Sequence, residues 1–166
     1  MSMQRHLQSM LMRAGAQVAG YRYVELNVIS NWSGEVFTNA FEIQLYRAAD
    51  GINRALNAQV AFTPEDFLTG YPPTNLVDGI GTVAGERTND KRALWYPTSL
   101  PTSITLDLSQ QVVFDRLRIY GGPLATRDFK SFTLSGSNNQ ITWDLLLSVA
   151  SAPQTTAESF YTEWAI

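Results

Sequence analysis

Apolar and polar residues alternate one by one along most of this chain. Across residues 21–29, Val24, Leu26 and Val28 fall on one side and Tyr23, Glu25 and Asn27 on the other, the period-two pattern of a half-buried β-strand. Asn31, Trp32, Ser33 and Gly34 interrupt it as a turn. Phe41, Ile43 and Leu45 then resume the alternation, so residues 21–46 are expected to form an antiparallel pair. Residues 59–62 predict a further short strand. Thr63 as N-cap, Pro64 at the first helical position and the acidic Glu65 and Asp66 predict a short helix ending near Leu68, where Gly70 and Pro72-Pro73 stop it.

The second half is clearer. Ile104, Leu106 and Leu108 alternate, and Val113, Leu117 and Ile119 follow beyond an expected turn at Ser109, Gln110 and Gln111. Phe132 and Leu134 lead into Gly136-Ser137-Asn138-Asn139, residues tolerant of positive φ that predict a hairpin. Its return strand carries Trp143, Leu145, Leu147 and Val149, with Trp143 expected in the core. Phe160, Thr162, Trp164 and Ile166 alternate once more at the C-terminus, Trp164 again facing inward. About eight strands with at most two short helices predict an all-β protein, a two-sheet sandwich or jelly roll around one core.

Before residue 21 the period changes. Met3, Leu7, Met10, Leu11, Ala14 and Val18 recur at spacings of three and four, one face of a short helix. The chain therefore divides into an N-terminal arm or short helix over residues 1–20 and a sandwich over residues 21–166. Gln8, Ser9 and Arg13 interrupt the apolar run, so a signal peptide is not expected. No stretch approaches the roughly 18 apolar residues of a membrane span. The expectation is a protein made in a cytoplasm. A methionine-rich helix makes adaptable contacts, which reads as an arm docking on a neighbouring subunit; the alternative is a loosely ordered leader.

Composition narrows the chemistry. With 166 residues, 45% hydrophobic and 16% charged, the chain is long and apolar enough for one ordered domain without metal or disulfide support. A net charge of −3 supplies no basic footprint, so neither nucleic acid nor a membrane surface is an expected partner. There is no cysteine, and the only histidine is His6 in the arm, which excludes thiolate nucleophiles, His-based triads in the sandwich and multi-His zinc sites. Glu65 and Asp66 are better explained by the helix dipole than as an acid pair. Gly121-Gly122-Pro123 is not followed by the Lys-Ser/Thr helix start of a phosphate cradle. An enzyme is not expected.

Several blocks resemble discoidin-type domains, also called coagulation-factor type C or galactose-binding-like domains. They are Tyr21-Arg22-Tyr23-Val24, the turn at 31–34, Phe41-Glu42-Ile43-Gln44-Leu45, Tyr71-Pro72-Pro73, and Asn75-Leu76-Val77-Asp78-Gly79 with Trp95. The most specific are 103–108 with 112–119, and 128–137 with Ile141-Thr142-Trp143. The likeness covers about residues 21–150 and implies a discoidin-like jelly-roll sandwich. Its order is unusual, because the first and third blocks usually close such domains and here they open the chain. That arrangement resembles tail and baseplate proteins of bacteriophages.

The resemblance also implies sites. In the family an Asp-Gly loop and the Glu of the Phe-Glu-Ile strand often share a calcium ion, which here implies Glu42 and Asp78, with oxygens from Asn75 and Thr82. The alternative is that Asp78 caps its own turn. Residues 81–92 look like an insertion before Trp95, and Ile80 stands where a polar residue is common. Sugar recognition by such modules stacks aromatic faces on the ring and bonds its hydroxyls, for which Trp32, Tyr71, Trp95, Tyr96, Arg92 and Arg127 are the candidates. Trp95 also reads as a core plug, and Trp32 is expected to be the most exposed. The leading expectation is a non-catalytic structural or adaptor protein in the tail or baseplate of a phage virion. It would join other virion proteins and form a homo-oligomer through the arm and the 81–92 loop. The alternative is a carbohydrate-binding module that grips a cell-surface glycan.

Overall fold

The structure is a computed structural model, described over residues 20–63, 70–83, 86–88, 93–95, 100–122, 124–156 and 161–166. Over these described residues it is all-β, with nine strands in two antiparallel sheets, the shortest only three residues long. In order these are β1 (Tyr21–Asn31), β2 (Thr38–Tyr46), β3 (Gln59–Thr63), β4 (Ala93–Trp95), β5 (Thr102–Val112), β6 (Arg116–Gly121), β7 (Phe129–Ser137), β8 (Asp144–Val149) and β9 (Tyr161–Ala165). One sheet runs β3-β5-β1-β7-β8 and the other β4-β2-β6-β9. Among the described strands, each consecutive pair but the β7–β8 hairpin lies in opposite sheets, so the strands interleave as in a jelly roll.

The alternation explains the core. Val24, Leu26 and Val28 of β1 and Ile104, Leu106 and Leu108 of β5 face inward from the first sheet. Ile43, Leu45, Leu117 and Ile119 meet them from the second, with Phe132 and Leu134 of β7 completing the layer. Trp164 closes the edge, its ring set against Phe132 edge-on at 5.1 Å. Among the described residues no helix is long and apolar enough to cross a membrane.

Four expectations change. β1 and β2 do not pair: they are central strands of opposite sheets, because the 31–38 loop carries the chain across the sandwich instead of back along the same sheet. Residues 109–111 are not a turn; β5 continues to Val112, with Ser109 at φ 67° beside a register shift in β1, and the chain turns over residues 113–115. In β8 the register slips between Leu147 opposite Leu134 and Leu145 opposite Ser135, a bulge that turns Leu145 out to 66% exposure. Trp143 precedes that strand, half-buried and outside the core cluster. The arm over residues 1–19 and the helix expected over 64–68 lie outside the described residues.

Candidate functional site

Strand direction gathers the 31–38 loop, the end of β4 and the β6–β7 connection at one end of the sandwich. Asn31 builds that loop. Its buried amide nitrogen donates to the carbonyls of Glu35 at 2.8 Å and Phe37 at 2.6 Å, while its Oδ1 accepts from the Gly34 N–H at 2.9 Å and the Ser33 hydroxyl at 3.0 Å. Gly34 stands at φ 72°, a conformation that disfavours a side chain.

Two cations lie over aromatic rings of this frame. Lys130 Nζ is 4.8 Å from the Trp32 ring centre, and the Arg127 guanidinium is 4.6 Å from that of Phe37 and 4.0 Å from Glu35 Oε2. The 31–38 loop thus sets Trp32 against Lys130 and Phe37 against Arg127. Trp32 is half-buried with one face under Lys130, so it is anchored in the loop rather than standing free of it. The Trp95 backbone pairs with Thr38 and joins the same end. Tyr71 lies half-buried before the 3-10 turn Pro73–Leu76. Arg92 and Tyr96 fall outside the described residues.

The residues singled out for calcium sit elsewhere, on the outer side of the second sheet. Glu42 is fully buried. Its Oε2 accepts the Gly79 N–H at 3.2 Å and its Oε1 accepts Asn53 Nδ2 at 3.3 Å. The Asn53 amide is oriented by its Oδ1, which accepts from the N–H groups of Leu45 at 3.3 Å and Ala55 at 3.0 Å. Burial, reinforced by the charge of Asp78, pushes the Glu42 carboxyl up to about 9, so it is uncharged at neutral pH. Asp78 Oδ1 accepts the Ile80 N–H at 2.8 Å and so caps its own turn. Asn75 belongs to the 3-10 turn and Thr82 lies half-buried beyond Gly81. Calcium needs six to eight oxygens. Both oxygens of Glu42 are instead met by N–H donors, and among the described residues no three acidic or histidine side chains gather. As placed, these groups form a carboxyl clamp that ties the 77–82 turn to β2.

The described part of the 81–92 stretch packs on the chain's own second sheet. Gly81 at φ 82° lies so close to Phe41 that an added Cβ would come within 2.9 Å of its side chain. Arg87 donates to the Gly121 carbonyl at 2.6 Å and stacks 4.9 Å from the Phe41 ring centre.

Lys130 and Asn53 escape a reading of the sequence. Lys130 reaches Trp32 only because β7 pairs with β1 in a register that sets Asn31 opposite Phe129 and Ser30 opposite Ser131. That partnership spans about a hundred residues and leaves no local signal. The class defined by this geometry is a two-sheet β-sandwich with an aromatic and cationic loop end. Compared with known proteins, the chain matches no family model, no curated relative and no solved structure.

Proposed function

We propose that the protein is a non-catalytic structural or adaptor subunit of a phage tail or baseplate, a rigid sandwich that joins copies of itself and neighbouring virion proteins. The observation that carries this reading is an exposed apolar edge. Strand β8 ends its sheet, and on and beside it Ile141 is 82% exposed and Leu145 66% exposed. Unpaired edge strands with large apolar side chains are natural templates for association. Gly20 is held nearby, since its carbonyl accepts from Asn138 of the β7–β8 turn at 3.1 Å. The phage reading draws on the discoidin-like blocks and their order.

The arm is tested by light scattering of the full chain and of a chain lacking residues 1–20. A defined oligomer that becomes monomeric on deletion is expected. An oligomer unchanged by the deletion would overturn the arm's role.

A second reading, a module that grips a host-surface glycan, is favoured by two cation-on-ring pairs at one end of the sandwich, Lys130 on Trp32 and Arg127 on Phe37. An array of neutral oligosaccharides is its test. Binding lost in both Trp32→Ala and Arg127→Ala is expected, and binding that survives both would exclude this end.

A further inference from the structure

We infer that one water molecule is built into the sandwich, held by Asn39 between the second sheet and the β6–β7 connection. Asn39 on β2 is fully buried, and among the described residues neither its amide nitrogen nor its carbonyl oxygen has a hydrogen-bond partner. A buried amide unbonded at both ends is strongly disfavoured unless something fills the gap. Asn39 lines a cavity of about 10 Å³ with Asp128, Thr155, Thr162 and Trp164, which is room for a single water.

The opposite wall is polar and already organised. Asp128 Oδ1 accepts the Gly122 N–H at 3.0 Å, and its Oδ2 accepts both the N–H and the hydroxyl of Thr155, at 3.0 and 2.5 Å. A carboxylate offers about four lone-pair positions, so Asp128 can still accept one proton. Two glycines let the chain approach this closely. A Cβ on Gly122 would lie 2.0 Å from Asn39 Nδ2, and one on Gly121 would lie 2.3 Å from Thr155 Oγ1.

The chemistry of the walls selects the occupant. It must give a proton to Asn39 Oδ1, accept one from Asn39 Nδ2, and fit the space of one water. A metal cation or ammonium cannot accept from the amide N–H. An anion is repelled by Asp128 and cannot donate. Water does both, and its second proton goes to Asp128. It thereby links β2 to Asp128, and through Asp128 to Gly122 and Thr155.

A crystal structure of the full chain, at a resolution that shows ordered waters, tests this. A density peak within hydrogen-bond distance of both Asn39 amide atoms is expected. An empty cavity, or an Asn39 amide bonded to protein atoms, would overturn the proposal. In solution, oxygen-17 relaxation dispersion should count one fewer long-lived water in Asn39→Leu than in the unaltered protein, and an equal count would contradict it. Should Asn39→Leu fail to fold, the crystal structure decides alone.

Discussion

Glu42 occupies a strand position shut off from solvent, and its acid group answers to pH in a direction opposite to that of an ordinary surface carboxylate. Its pKa rises from 4.5 to about 9 because burial disfavours the charge, with Asp78 adding to the effect. Between those values the folded chain holds a proton that the unfolded chain has released. Stability is therefore lost as pH rises across that window, at a slope of at most about 1.4 kcal/mol per pH unit from this group. Glu42→Gln keeps the shape without the charge, so urea titrations at pH 6 and pH 9 should show a much smaller pH dependence in the variant. An unchanged pH dependence would show that Glu42 is not the group responsible. Gly122 belongs to the same scale. Gly122→Ala sets a methyl group against the Asn39 amide and should cost about 1–3 kcal/mol by overpacking, read from the same titrations.

Among the elements, the strands were legible because period-two alternation assigns faces. Val24, Leu26, Val28, Ile104, Leu106 and Leu108 all point inward as their spacing predicts. Alternation does not assign partners, so a six-residue hairpin loop and the sheet-crossing 31–38 loop look alike in sequence. It also fails at bulges, where one extra residue exchanges the faces, as at Leu145. The two leucines on the paired strands make this measurable. Leu134→Ala should destabilise by about 2–5 kcal/mol, while Leu145→Ala should stay within about 0.5 kcal/mol. Equal losses would mean that the bulge is misplaced. The loop end was half legible: Trp32 and Arg127 stand out as residue types near turns, but Lys130 and the frame of Asn31 depend on long-range register. Asn31→Ala leaves the Glu35 and Phe37 carbonyls without their donor and should unpin the loop, with a loss of about 1–3 kcal/mol and a change in Trp32 fluorescence.

At the scale of the whole molecule, the two sheets are built from strands that interleave across a shared core, and the exception is the one hairpin, β7–β8, whose far strand is left as an open edge. An edge with Leu145 and Ile141 exposed suits a block that is stacked against its own kind. The most direct measurement is the mass of the protein in solution by light scattering, across a range of concentrations, for the full chain and for the double variant Ile141→Lys, Leu145→Lys. The account predicts a defined oligomer for the full chain and a folded monomer for the double variant, since lysines on an open edge block strand-to-strand pairing. A full chain that stays monomeric at every concentration would contradict it, as would an oligomer that the two lysines leave intact.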